Sequence, residues 1–287
     1  MTTLTLGTAS FGMPGYGIAS RHRCTWEEAL LVLGRARLAL LAVDTAAAYG
    51  NAEELVGIAG AGPPLTTKIL PGLAAHPRQL IRAIEGQVRA SRERLALSPG
   101  VPLTVLFHTP AHGAAREYVA ALRECRDGLG LCSSIGTSIY DPEEYAALVP
   151  GQDVVQLPYS ALDRRCEAVI RQARDDGLTV QARAPFCQGL LLLDPTQAPA
   201  RARPLLEAFR AVCARHSFGL VEAALRFALD GGADTVVFGV DDPEQLAADL
   251  DIWRSTSPDW PACREALRAA IPQADAAVVN PSLWSRS

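Results

Sequence analysis

Residues 65–107 read LTTKILPGLAAHPRQLIRAIEGQVRASRERLALSPGVPLTVLF, and this stretch holds one complete repeat of the architecture. Leu65–Ile69 and Leu103–Phe107 are short apolar runs of the length and composition of buried strands. Between them, Leu80, Ile84, Val88 and Leu95 recur at helical spacing and give the segment PRQLIRAIEGQVRASRERLAL one apolar face. Strand, helix, strand implies parallel strands joined by a right-handed crossover.

The same alternation extends in both directions. Further strands are predicted at Thr3–Gly7, Leu41–Asp44, Ser133–Gly136, Val154–Leu157, Thr179–Ala182 and Thr235–Phe238, eight in all. DPEQLAADLDIW opens on Asp-Pro, a good helix start. Eight units in 287 residues predict a (β/α)8 TIM barrel, an α/β fold of parallel strands with outer helices. One domain covers 1–287, with 273–287 as a C-terminal tail. An open doubly wound sheet would carry G-x-G-x-x-G after an early strand, and none occurs.

Composition narrows the function. Hydrophobic residues make up 49% and charged residues 20%, the balance of a chain with a large core. A net charge of −4 argues against nucleic acid as partner. No apolar run reaches the ~18 residues of a membrane span. The start MTTLTLGTASFG has no basic segment followed by an apolar one, so no signal peptide is read and a cytoplasmic location is expected. The seven cysteines form no C-x-x-C pair, which fits thiols in a reducing compartment and no metal site.

Barrel enzymes place their chemistry at the C-terminal ends of the strands. The polar residues found there are Asp44 and Tyr49, Lys68, His108, Thr137 and Ser138, Gln156, and Arg183. Lys68 is the single lysine among 27 basic residues. Where every other cation is Arg, a lone Lys points to a need for a compact ammonium. An ammonium stabilises tyrosinate and lowers a phenol's pKa. A carboxylate holds the ammonium, and a neutral imidazole donates to a carbonyl oxygen. Asp44, Tyr49, Lys68 and His108 together make a general acid aimed at a C=O.

The ordered Asp…Tyr…Lys…His set, with LTLGTASFG, DTAAAYGNAEELVG, LTTKI, VLFHTP, IGTSIYDPEEY, VVQLPYSALDRR, VQARAPFCQGLL and VVFGVDDPEQL, resembles the aldo-keto reductases over nearly the whole chain. The resemblance implies NADPH- or NADH-dependent reduction of a small-molecule carbonyl substrate. Tyr49 would then be the proton donor, Lys68 its activator, Asp44 the anchor of Lys68, and His108 the residue that orients the carbonyl. It also implies a cofactor site of Gly7, Thr8, Ser138, Gln156, Arg183, Gly189, Leu190, Gly239 and Gln245. Ser138 and Gln156 would hold the carboxamide, the turn Gln188-Gly189-Leu190 would lie near the pyrophosphate, and Gln245 near the adenine.

Three positions depart from that family's pattern. Ile139 follows Ser138 where Asn is usual. Arg183 stands where an aromatic ring commonly stacks on the nicotinamide; it pairs with a rim carboxylate or binds cofactor or an anionic substrate. Asp241, Asp242 and Asp249 replace groups expected near a 2′-phosphate, although Asp241 and Asp242 also suit a helix N-terminus. Two other functions therefore stay open: a non-redox acid–base enzyme, a lyase or isomerase, and a non-catalytic binding or regulatory barrel. Arg21, His22 and Arg23 are read as a solvated loop. The loops after strands one, four and seven are expected to build the substrate pocket.

Overall fold

The computed structural model describes residues 2–13, 15–18, 24–60, 62, 64–72 and 76–280. Arg21, His22, Arg23 and the last seven residues of the tail lie outside them. The strands are β1 (Thr3–Gly7), β2 (Ala42–Asp44), β3 (Leu65–Ile69), β4 (Thr104–Phe107), β5 (Ser134–Ser138), β6 (Val154–Pro158), β7 (Thr179–Arg183) and β8 (Thr235–Gly239). They pair in parallel in sequence order, and β8 returns to β1, with Thr3 opposite Thr235 and Gly7 opposite Gly239. The expected eight-stranded barrel is therefore closed, with helices around it.

The strand limits differ from the sequence reading by up to two residues. Four strands run further toward the mouth than their apolar runs do. Ser138 pairs with Gln156, and Pro158 with Arg183. Backbone pairing continues past the hydrophobic signal, so the polar residues at the ends are themselves fixed in the ladder.

Alternation along each strand sorts the side chains. Leu4 and Leu6, Val155 and Leu157, and Val180 and Ala182 are buried in the hydrophobic core. Thr5, Thr66, Gln156, Gln181 and Thr235, of the other parity, are buried and polar. Inside the barrel Thr5 and Thr235 share a 2.8 Å hydroxyl contact. Gln156 Nε2 donates to Gln181 Oε1 at 2.9 Å, and Gln181 Nε2 donates to Thr66 Oγ1 at 3.3 Å. The helix Pro77–Arg94 buries Leu80, Ile84 and Val88, the face expected from its spacing. Thr25 and Glu28 form a reciprocal capping box that starts the helix Trp26–Leu38.

Residues 273–280 of the expected tail are described. Ala276–Val279 is a short helix with Val278, Val279 and Asn280 buried. Among the described residues no helix is long and apolar enough to cross a membrane, and no group of His, Cys, Asp or Glu could hold a metal ion. All seven cysteines are free and buried.

Outside the barrel wall, Thr67 turns away from Lys68 and donates to Glu53 Oε1 at 2.5 Å. Glu53 is 1% exposed and also receives Arg94 Nε at 2.7 Å. This cluster ties the helices Ala52–Ala59 and Pro77–Arg94 to β3. Glu53→Ala strips both donors of their acceptor. We expect a loss of about 2 kcal/mol in urea unfolding, with Arg94's partial exposure keeping it near the low end of buried-pair values.

Candidate active site

Lys68 and Asp44 meet on neighbouring strands at the barrel axis. Lys68 Nζ lies 2.6 Å from Asp44 Oδ1 and 3.1 Å from the Thr45 carbonyl oxygen. Both side chains are almost wholly buried, at 1% and 4% exposure. The other carboxylate oxygen, Oδ2, accepts from Gln156 Nε2 at 2.8 Å. One carboxylate therefore joins β2, β3 and β6. Gln156 Oε1 is left buried without a protein partner.

Tyr49 stands above this pair. Lys68 Nζ is 5.3 Å from its ring centroid, and His108 meets the ring edge-on at 5.6 Å. No hydrogen bond ties the Tyr49 hydroxyl to the described residues, and the residue lines a cavity. Its backbone is held by a close approach. A Cβ on Gly12 would fall 1.7 Å from the Tyr49 carbonyl oxygen, and one on Gly50, at φ +56°, 2.3 Å from that of Gly12. Only glycine fits at either point.

Burial raises the Tyr49 phenol above its ordinary pKa, and the Asp44 carboxylate adds to the rise while Arg183 opposes it. The lowering that the sequence predicted from Lys68 does not prevail, because burial outweighs it and the Asp44 carboxylate adds to the rise. The phenol is thus protonated throughout the physiological range. Burial, with Lys68 and Arg183, pushes His108 down to about 4, so its imidazole is neutral near pH 7. His108 Nδ1 is buried and unpartnered. The arrangement sets a protonated phenol beside a neutral imidazole.

A cavity of about 680 Å³ runs from Asp44, Tyr49 and Gln156 outward to the helix Pro243–Arg254. Of the expected cofactor residues, Gly7, Thr8, Gln156, Arg183, Gly189, Gly239 and Gln245 line it. Ser138 and Leu190 do not. Ser138 is the buried register partner of Gln156, and Leu190, 1% exposed, belongs to the core. Thr8 Oγ1 is already engaged with the Asp44 carbonyl oxygen at 3.2 Å. A Cβ on Gly239 would meet nothing within 4 Å, so that wall is open. At the outer end Asp242 caps its helix, accepting from Gln245 N at 2.8 Å, and Gln245 Nε2 donates back to Asp242 Oδ2. Asp249 lines the same end, its carboxyl raised by burial to about 7.

The pocket walls differ from the expectation. Loops after β1 and β7 line the cavity, whereas the loop after β4 brings only its first residue, His108, against the edge of Tyr49. That loop folds as the turn Pro110–Gly113 and packs so closely that a Cβ on Gly113 would sit 2.0 Å from Thr137 Oγ1. Across the opening, Ile18 N donates to the Gln188 carbonyl oxygen at 2.9 Å. Ala184, Cys187 and Gln188 all have positive φ. Tyr16, Tyr140 and Gln181 belong to the site or its supports and were not singled out from sequence. Only Gln181, polar in an apolar strand, carried a signal there.

Comparison with known proteins follows the same lines. The profile of the Aldo/keto reductase family matches residues 3–268. Among solved structures the chain is similar to an aldo-keto reductase from Bacillus halodurans in its holo form, at TM-score 0.75 and 21% identity over 98% of this chain and 95% of that one. It is also similar to a glycerol dehydrogenase from Gluconobacter oxydans, at TM-score 0.69 and 20% identity over 95% and 93% of the two chains. No curated protein sequence matches.

His108 gives the site a pH signature. Its pKa is about 4 in the fold against 6.5 for the free side chain, so the unfolded chain binds the proton more readily between those values. Its contribution to stability is present above about 6.5 and is lost as pH falls toward 4. Melting temperature followed over that window should fall less steeply in His108→Gln than in the wild type.

Proposed function

The chain belongs to the aldo/keto reductase family, and on that premise we propose that it reduces an aldehyde or ketone with a nicotinamide cofactor, Tyr49 giving the proton. The observation that carries this reading is the double engagement of Asp44. One of its oxygens holds Lys68, which serves the acid, and the other holds Gln156, whose buried Oε1 still lacks a donor. A carboxamide NH2 supplies that donor, so the residues fit the cofactor. Gln156 would hold the carboxamide, Gly189 and Gly239 would flank the middle of the nucleotide, and Gln245 would stand at its far end. When bound, the cofactor supplies the hydride.

The chain's own residues supply the rest. Tyr49 presents its proton to the carbonyl oxygen. As negative charge builds on the phenol oxygen, the Lys68 ammonium stabilises it in a site poor in water, where Coulomb attraction is strongest. Asp44 keeps that ammonium aimed. Neutral His108 fits a donor to the same carbonyl oxygen. Asp241, which lines the outer end, opposes an extra phosphate, which favours NADH over NADPH.

Fluorescence titration with both nucleotides tests the reading. We expect NADH to bind in the micromolar range and NADPH more weakly. Absence of binding by either up to millimolar concentration overturns the reductase and leaves a non-redox acid–base enzyme. Tyr49→Phe, folded by its thermal transition, should lose about 10²- to 10⁴-fold in kcat.

Lys68→Arg keeps a charge but widens and flattens the head that must fit against Asp44 and beneath Tyr49. We expect it to fold with a lowered melting temperature and to lose most turnover. Near-wild-type kcat in Lys68→Arg would remove Lys68 from the mechanism.

A further inference from the structure

Arg183 is a cation at the mouth of the barrel with no carboxylate in ion-pair distance among the described residues. It is the last residue of β7 and lies two positions beyond Gln181, so its side chain follows the same inward parity one layer nearer the mouth. One NH2 group donates to the Ile139 carbonyl oxygen at 3.0 Å, and the guanidinium carbon stacks 4.3 Å over the Tyr140 ring. Those two contacts fix the plane of the group. The rest of its N–H donors are uncommitted among the described residues, and the residue lines the cavity beside Tyr49 and Tyr16.

Charges around it are already matched elsewhere. Asp44 is held by Lys68. Behind Tyr140, Asp163 and Asp141 are both held by Arg165. Tyr16, Tyr49 and His108 at the mouth are neutral near pH 7. Arg183 works against the burial that raises Tyr16 and Tyr49 and adds to the burial that lowers His108, the mark of a positive field across the mouth.

We propose that Arg183 is the substrate anchor of this site, and that the carbonyl compounds it takes are oxo acids, whose carboxylate meets the guanidinium fork while the carbonyl meets Tyr49. A planar fork matches a carboxylate with two parallel hydrogen bonds. Stacking on Tyr140 orders the fork before the substrate arrives, which reduces the entropy lost on binding. The carboxylate also offsets the like charge that Arg183 would otherwise present to an oxidised, positively charged nicotinamide. The proposal rests on Tyr49 as the acid of a carbonyl reduction and adds the class of substrate.

The test compares acids with their neutral amides on the full-length protein. Phenylglyoxylate, 4-carboxybenzaldehyde and succinic semialdehyde are each paired with the corresponding amide and titrated calorimetrically, with and without NADH. For at least one pair the acid should bind about 10-fold or more tightly than the amide, the size of one charge-assisted contact. In Arg183→Gln, shown folded by its thermal transition, that preference should vanish, and Arg183→Lys should restore part of it. The proposal is overturned if no acid outbinds its amide, if the preference survives in Arg183→Gln, or if that variant loses NADH affinity and not the acid preference. Turnover is read separately. Acids that bind through Arg183 and are never reduced with either nucleotide leave the anchor standing and overturn the reductase reading.

Discussion

The buried contact between Lys68 and Asp44 is the constraint on which the site is built. Two charges removed from water cost several kcal/mol unless geometry and further hydrogen bonds compensate. Here the ammonium is held at 2.6 Å and also meets the Thr45 carbonyl, while the carboxylate meets Gln156. The compensation requires β2, β3 and β6 to keep their heights relative to one another. Parallel register supplies this, with Val43 opposite Leu65 and Ser138 opposite Gln156. The barrel is therefore more than a support for the pair, since any slip in register would leave an unmatched charge at its axis.

Much of this was legible in the chain because it rests on local pattern. Buried parallel strands read as apolar runs, and the apolar spacing at Leu80, Ile84 and Val88 names the packed face of its helix. Asp44, Tyr49, Lys68 and His108 stood out as polar residues where apolar runs end. What stayed hidden depends on contacts between distant strands. The bond from Gln181 to Thr66 spans 115 positions, and nothing local marks either residue as a partner of the other. Tyr16 and Tyr140 looked like ordinary aromatics because their place at the mouth is set by loop paths. The segment near Val278 reads as a tail, since a four-residue helix is too short to show a period.

The direction of the Tyr49 shift teaches a related point. A list of charges near a phenol suggests an acid made stronger by its lysine. The geometry shows a lysine already matched to a carboxylate and a phenol deep enough for burial to dominate. Such a phenol is held fully protonated. The cationic Arg183 and the neutral His108 stand beside it, so each shapes the field around its hydroxyl.

The hydrogen bond from Ile18 to Gln188 bears on how such a molecule can change over evolutionary time. It joins two loops across the cavity opening, and Gly17 beside it, at φ +87°, would bring a Cβ to 3.1 Å from the same carbonyl oxygen. The clasp is made of main chain, so its geometry is indifferent to most side chains on either loop. Residues facing the cavity from those loops are then free to drift toward new ligands while the span between the loops persists. The layer of Lys68 and Asp44 beneath is fixed by charge, and the rim above it is tied by backbone, which leaves the wall between them as the part of the molecule most open to innovation.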